Sequence, residues 1–200
     1  MNRIVLAALA LALAPTAAAA KEGGDAFDGA FAGIEAGWGE RSADIEIGIP
    51  GLSDLNQGRS SFDFGGFVGY DMTTGSSFVV GLEAGIGAGG ATLEAAPAAD
   101  LGVSIDPKWN YALSARAGVL ATPDLLIYGR AGYGGERLTT RVTTIAGVTS
   151  ESGWSEGVIL GGGLEYALAG KTRLRAEYRH RDMEGGYAAD QVLAGVSFRF

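Results

Sequence analysis

Apolar and polar side chains alternate along the last ten residues of the chain, 191–200. The apolar face consists of Val192, Ala194, Val196, Phe198 and Phe200. This period of two is typical of a β-strand with two different faces, and an apolar face that ends on aromatic residues suits lipid better than water. The pattern predicts the closing strand of a transmembrane β-barrel, which pairs with the first strand because hydrocarbon tolerates no unpaired sheet edge.

The same alternation recurs in seven earlier segments. With the last one, the predicted strands are 30–39, 61–71, 78–87, 109–120, 125–135, 154–166, 173–179 and 191–200. The connections after strands one, three and five are long, the one after seven is intermediate, and those after two, four and six are short. Short turns on one side and long loops on the other are typical of outer-membrane barrels. The sequence therefore predicts an all-β fold, an eight-stranded antiparallel up-and-down transmembrane β-barrel.

The direction of the apolar face separates a membrane barrel from a soluble one, in which that face points inward. Aromatic residues on this face recur at both strand ends, as expected for two membrane interfaces. They are Trp38, Phe62, Trp109, Tyr133 and Trp154 at the loop ends, and Tyr70, Phe78, Tyr166, Phe198 and Phe200 at the turn ends. The opposite face is mostly glycine with isolated charges, which suits the narrow interior of an eight-stranded barrel. The apolar face is therefore predicted to contact lipid.

The first twenty residues have the composition of a secretory signal peptide, with Arg3, an apolar run and four alanines before Lys21. We expect cleavage after Ala20 and a single barrel domain over residues 21–200. The chain contains no cysteine, which excludes disulfides, thiolate nucleophiles and cysteine metal sites. Its formal net charge of -8 argues against nucleic acid as a partner.

Charged residues recur on the glycine-rich face and are predicted to lie in the lumen. Those near mid-height are Glu35, Glu83, Arg116, Arg130, Arg175 and Glu177, and those nearer the turn end are Glu165, Arg173 and Arg199. Isolated charges in such a space are costly, whereas paired and hydrogen-bonded charges persist. One interpretation is a set of ion pairs that fills the lumen, and the other is the charged constriction of a channel. The first is favoured because eight strands leave room only for side chains.

The eight-strand pattern, the segment Leu174-Arg-Ala-Glu-Tyr-Arg and the aromatic-ended Gly195-Val-Ser-Phe-Arg-Phe200 carry a family resemblance. The sequence resembles the small outer-membrane barrels of the OmpA/OmpX type, and among them the opacity-protein-like surface antigens, or porin-family barrels. The resemblance implies insertion by the barrel-assembly machinery, which in that family recognises a C-terminal strand ending in phenylalanine. Phe200, with Phe198, matches this assembly signal. A peptidoglycan-binding role, as in full-length OmpA proteins, is not implied.

Some eight-stranded outer-membrane barrels are enzymes, such as the lipid A deacylases, whose His-x-Ser pair lies on a late strand. The single histidine here, His180, is followed by Arg181-Asp182 and lies by parity on the apolar face near the rim. We interpret it as an interface residue rather than a general base. The glycine-rich stretches 85–90 and 161–163 lack the Lys-Ser/Thr of a phosphate-binding loop and are interpreted as strand glycines. The sequence predicts no catalytic residue, no cofactor and no metal ligand.

The loops are expected to carry any specific function, because rigid barrels display variable loops. The first loop has an apolar series that either contacts another surface or folds over the barrel mouth, formed by Ile45, Ile47, Ile49, Leu52 and Leu55. In the third long loop, residues 137–145 alternate and are predicted to extend their hairpin and turn near Ala146. The many acidic loop residues are interpreted as solvated charge, and only as a hypothesis as divalent-cation sites shared with surface lipid.

These inferences predict a monomeric outer-membrane protein of a Gram-negative bacterium, with extracellular loops and both termini periplasmic. The expected partners are outer-membrane lipid and lipopolysaccharide, the barrel-assembly machinery and a surface ligand bound through the loops. The expected role is structural or surface interaction without catalysis. The alternative is a narrow porin for small solutes or ions.

Overall fold

A computed structural model describes residues 25–45, 55–75, 77–98, 101–168 and 171–200. Over these ranges the chain forms one short 3-10 helix, Asp25–Phe27, and nine β-strands. The strands are β1 Gly29–Ile45, β2 Leu55–Thr74, β3 Phe78–Gly89, β4 Leu93–Ala98, β5 Leu101–Thr122, β6 Leu125–Thr144, β7 Gly147–Ala167, β8 Thr172–Met183 and β9 Tyr187–Arg199. The predicted signal peptide and most of the apolar series of the first loop lie outside the described residues.

Eight of the nine strands close into a barrel. Each pairs antiparallel with its neighbours, and the ring is completed where β1 pairs with β9 and β3 pairs with β5. In the closing pair, Phe31 lies opposite Arg199 and Ala43 opposite Tyr187. This topology leaves no open sheet edge in the barrel wall, and it confirms the predicted fold class. No helix in the described ranges is long and apolar enough to cross a membrane.

The predicted strands were too short at one end of the barrel, and β4 was not predicted. Most strands extend past the aromatic positions, so that β1 reaches Ile45 and β5 begins at Leu101. The strand β4 pairs with β5 inside a segment predicted as loop, with a register irregularity between Ala95 and Ala98. The outward apolar alternation stops near the aromatic positions, although backbone pairing continues beyond them. The predicted hairpin extension is confirmed, because β6 and β7 pair up to Thr144 and Gly147.

The barrel has two distinct ends. The turn end carries residues 25–28, the short turns between β2 and β3, β5 and β6, and β7 and β8, and Phe200. The loop end carries the other connections and β4. Along the strands between them, the apolar face lies outside and is exposed, as at Ile34, Leu82 and Leu113. The prediction that the apolar face points outward is therefore confirmed.

Two apolar clusters lie inside the barrel, one near each end, and we call them plugs. The turn-end plug consists of Phe27, Val79, Leu126 and Tyr128, with Ala26, Leu120 and Ala167 packed against it. The loop-end plug consists of Ala43, Leu93, Met183 and Tyr187, with Ile105 and Leu138. Phe27 enters from the 3-10 helix and Leu93 from β4, so segments outside the predicted strands supply a central side chain to each plug.

Inward-facing glycines make room for large side chains on the neighbouring strand. A Cβ at Gly69 would overlap the ring of Phe31 and would lie 2.6 Å from the carbonyl oxygen of Leu82. Two bulky residues at this height, Phe31 and Phe67, meet edge to face with ring centroids 6.2 Å apart. The glycine content of the inner face thus follows from close packing in the lumen.

Replacing Gly69 with valine should therefore lower the free energy of unfolding by about 1–3 kcal/mol, the usual cost of overpacking. Gly66→Val is the matched control, because Gly66 faces outward and a Cβ there would meet no described atom closer than 3.5 Å. Urea unfolding of both variants, refolded in lipid vesicles, measures the difference. Equal stability of the two variants would show that the lumen is loosely packed.

Candidate functional site in the barrel interior

Ten charged side chains meet in the middle of the lumen, and we call them the central cluster. Every second residue of β8 points inward, because strand side chains alternate between the two faces, and this strand alone contributes four members. The central cluster consists of Glu35, Asp71, Glu83, Glu165, Glu177, Arg116, Arg130, Arg173, Arg175 and Arg179. Five carboxylates thus face five guanidinium groups.

Arg116 connects carboxylates from two other strands. Its Nε and Nη2 donate to the two oxygens of Asp71 at 2.8 and 2.6 Å. Its Nη1 and Nη2 donate to Glu165 at 2.7 and 3.1 Å. The guanidinium carbon lies 4.8 Å from the ring centroid of Phe31, which adds a cation–π contact. Such two-point, charge-assisted hydrogen bonds are the strong kind, and they link β2, β5 and β7 across the lumen.

Arginines hold the remaining carboxylates of the central cluster in the same way. Arg175 and Arg130 donate to Glu83 at 2.5 and 2.9 Å. Glu177 accepts hydrogen bonds from the Tyr128 hydroxyl and from Arg130. A carboxylate saturated by guanidinium groups is a structural partner rather than a group poised for proton transfer.

A second polar group lies nearer the loop end, and we call it the loop-end cluster. It consists of Arg41, Asp63, Glu136, Tyr187 and Gln191. Arg41 Nη2 donates to Asp63 at 2.7 Å and to Glu136 at 3.1 Å. The Tyr187 hydroxyl donates to Glu136 at 2.9 Å, and Gln191 donates to Asp63 at 3.1 Å. Tyr187 lies beyond the outward-facing aromatic residues at the loop ends of the strands. Burial and the charge of Glu136 raise the pKa of its phenol, which therefore stays protonated and acts as a donor.

The buried charges stabilise one arrangement of the strands only while they remain paired. Removing two ions from water costs several kcal/mol each, and this cost is offset only by good geometry and additional hydrogen bonds. The two clusters supply both, because each guanidinium group described above reaches acceptors on at least two strands. The arrangement places these polar contacts between the two apolar plugs.

Eight of the nine predicted lumen charges lie in the central cluster. Glu165 and Arg173, predicted nearer the turn end, belong to it as well and are 3.6 Å apart. Arg199 lies apart, where its Nη1 donates to the backbone carbonyl of Asp28 at 3.1 Å. Phe198 and Phe200 lie exposed at the turn end, and the Phe200 amide donates to the Ala30 carbonyl at 3.0 Å.

Several interior charges were missed in the sequence. Asp71 and Arg179 are the last residues of predicted strands two and seven, and both have inward parity. Arg41 and Glu136 lie just beyond predicted strand ends, at positions where inward parity continues. Asp71 and Arg179 could be found within the predicted strands, and following the alternation two residues beyond strands one and five would also find Arg41 and Glu136.

Charged groups outside the lumen form separate contacts. His180 faces outward near the rim, as predicted, and its Nδ1 lies 2.8 Å from Asp190. Of the predicted loop acids, Glu94 lies 3.8 Å from Arg59, and Asp106 pairs with Lys108. Over the described ranges, no three His, Cys, Asp or Glu side chains come together in a way that could hold a metal ion.

Comparisons with known proteins give one family and a set of similar folds. A family model described as an outer membrane protein β-barrel domain matches residues 4–200. The crystal structure of neisserial surface protein A is 15% identical, with a TM-score of 0.50, and the match covers 86% of this chain and 100% of that one. The N-terminal β-barrel domain of Pseudomonas aeruginosa OprF is 19% identical, with a TM-score of 0.50, and the match covers 87% and 99%. No curated protein sequence matches the chain. At these identities the structural likeness shows a shared fold alone.

Proposed function

The chain belongs to the outer membrane protein β-barrel family, and we propose that it acts there as a closed barrel with a structural or surface-interaction role. In this proposal the lumen conducts no solute and the protein catalyses no reaction. The observation that supports it is the burial of large and charged side chains inside the barrel. Two apolar plugs and two polar clusters follow one another along the lumen. An eight-stranded barrel is only wide enough for its own side chains.

The proposed orientation places the turn end in the periplasm and the loop end outside the cell. It is supported by the unequal connections, because outer-membrane barrels have short periplasmic turns and longer extracellular loops. In this orientation Phe200 ends the last strand on the periplasmic side, where the assembly machinery would recognise it. We further propose that residues 1–20 are removed as a signal peptide and that residues 21–200 form a monomeric barrel.

We assign the surface role to the loop end of the barrel. In this proposal lipopolysaccharide and lipid surround the barrel wall. The hairpin of β6 and β7 extends well beyond the aromatic residues at the loop ends of the strands, and Ile145 and Val148 at its tip are exposed. Exposed apolar residues on a rigid, protruding hairpin are suited to contact with another surface.

An osmotic swelling assay tests the closed-barrel proposal. Liposomes containing the refolded protein, diluted into an arabinose solution, should swell no faster than liposomes without protein. A sixteen-stranded porin in the same lipid is the positive control. Rapid swelling in arabinose would support the narrow porin instead.

A further inference from the structure

Three aromatic side chains form a patch on the outer face of the barrel at its loop end, and we call it the outer aromatic patch. It consists of Trp109 and Tyr111 on β5 and Trp154 on β7. The ring centroids of Trp109 and Tyr111 lie 4.6 and 5.4 Å from that of Trp154, both edge to face. The guanidinium carbon of Arg137, on β6, lies 5.8 Å from the Trp154 centroid. A packed aromatic surface with a cation beside it therefore faces outward at this end of the wall.

Two arginines on β6 continue this face away from the membrane. Arg137 lies opposite Trp154 and Arg141 lies opposite Ser150. Residues four apart on a strand share a face and are about 13 Å apart along it, so the two guanidinium groups stand at two different heights on the same face. In the part of the chain that the structure describes, neither arginine lies within ion-pair distance of a carboxylate. Both are therefore available to an anion from outside the protein.

The two carboxylates on this face of β5, β6 and β7 have partners of their own. Asp106 pairs with Lys108, and Glu156 accepts a hydrogen bond from the Tyr111 hydroxyl at 2.6 Å. With Arg137 and Arg141, the face carries three cations and two carboxylates.

The far wall of the barrel is acidic at the same end. Asp190 on β9 lies opposite Glu40 on β1, and both side chains are exposed. The whole chain has a formal net charge of -8. An excess of cations beside the outer aromatic patch is therefore a local feature, which sets this side of the barrel apart from the other.

We propose that this face is a binding site for the headgroup of lipopolysaccharide, the phosphorylated glycolipid of the outer leaflet. Trp and Tyr side chains suit a boundary that is apolar on one side and wet on the other, and here they support the sugar rings of the headgroup. Arg137 pairs with a phosphate beside these sugars, because a guanidinium group matches phosphate with two parallel hydrogen bonds. Arg141 meets an acidic group of the inner core, further from the membrane.

This inference rests on the proposed function and deepens it. The proposed orientation places the loop end in the outer leaflet, and the inference names the side of the barrel that binds lipopolysaccharide there and the residues that do so. It holds whether or not the barrel conducts, so loss of lipopolysaccharide binding would leave the closed lumen untouched, and a conducting barrel would leave this site untouched.

Thermal unfolding in detergent micelles tests this site. The refolded protein is titrated with a short lipopolysaccharide that contains lipid A and the acidic sugars next to it. A ligand that binds only the folded state raises the unfolding midpoint with its concentration, so we expect a saturable rise. Removing both charges with Arg137→Gln and Arg141→Gln should weaken the apparent affinity about tenfold or more, because each loses hydrogen bonds to a charged group. Arg59→Gln is the matched control and should retain the affinity, since Arg59 is exposed on β2 beside Glu94.

Two comparisons separate this site from general contact with anionic lipid. Trp154→Ala should also weaken the affinity, whereas Trp38→Ala should not, because Trp38 is an equally outward-facing tryptophan on β1 in the acidic wall. Phosphatidylglycerol at the same total charge should raise the midpoint far less than lipopolysaccharide does. If the double arginine variant does not refold, Arg141→Gln alone serves, since its side chain is exposed on the extended hairpin. An affinity unchanged in the arginine variants, equal losses in the two tryptophan variants, or an equal rise with phosphatidylglycerol would overturn the proposal.

Discussion

Replacing Arg116 with methionine should lower the free energy of unfolding by about 3–5 kcal/mol, the usual cost of removing one partner from a buried ion pair. Arg116 reaches both oxygens of Asp71 and both oxygens of Glu165. Methionine would fill similar space but would leave these two carboxylates with Arg173 and Arg175 as their remaining partners. Urea unfolding in lipid vesicles, followed by tryptophan fluorescence, gives the free energy.

Two companion variants identify the cause of the loss. Arg141→Met removes an arginine from the exposed part of β6 and should change stability by less than about 0.5 kcal/mol. Arg116→Lys keeps the charge but loses the planar guanidinium group. Its loss of unfolding free energy should therefore lie between those of the other two variants. If Arg116→Met cost no more than Arg141→Met, water rather than protein would surround the Arg116 position, and the filled-lumen account would fail.

Replacing Phe27 with alanine should open the turn end of the barrel. The Phe27 side chain is fully buried against Val79, Leu126 and Tyr128, and Arg173 lies over its ring at 5.0 Å. Truncating a buried phenylalanine costs about 3–5 kcal/mol where the site cannot collapse. The local consequence is that water reaches Val79, which the ring now covers.

Cysteine labelling measures this opening, because the chain contains no cysteine of its own. Val79→Cys, labelled with a charged maleimide in detergent, should react slowly in the otherwise unmodified protein and much faster when combined with Phe27→Ala. Phe78→Ala is the matched control. It also removes a phenyl ring next to Val79, but from the exposed outer face of the barrel. Equal labelling rates with and without Phe27 would mean that the 3-10 helix does not seal the lumen.

The lipid-facing half of this fold could be predicted from the sequence because lipid selects side chains with a strict period of two. Ile34, Leu82 and Leu113 lie outside, as the alternation required. The inward-facing positions could also be predicted, since charged residues and glycines alternate with the apolar residues along each strand. Arg116 was placed in the lumen for this reason alone.

The partners of the inner charges could not be predicted from the same pattern. The alternation tells on which face of the strand a side chain lies. It does not tell how far along the barrel axis that side chain lies relative to side chains on other strands. Arg116 on β5 meets Glu165 on β7, two strands away and 49 positions later in the sequence, and that contact depends on the stagger of the strands. Phe27 and Leu93 gave no periodic signal, because each enters the lumen from a short segment outside the predicted strands.

Single-channel recording of the refolded protein in a planar bilayer tests the closed barrel most directly. The gel mobility of heated and unheated samples first verifies that the protein is folded. The account predicts a silent bilayer over the voltage range in which a sixteen-stranded porin gives clear steps. Reproducible steps whose size or ion selectivity changes with Glu83→Gln or Arg130→Gln would contradict it, because they would place the current among the side chains of the central cluster.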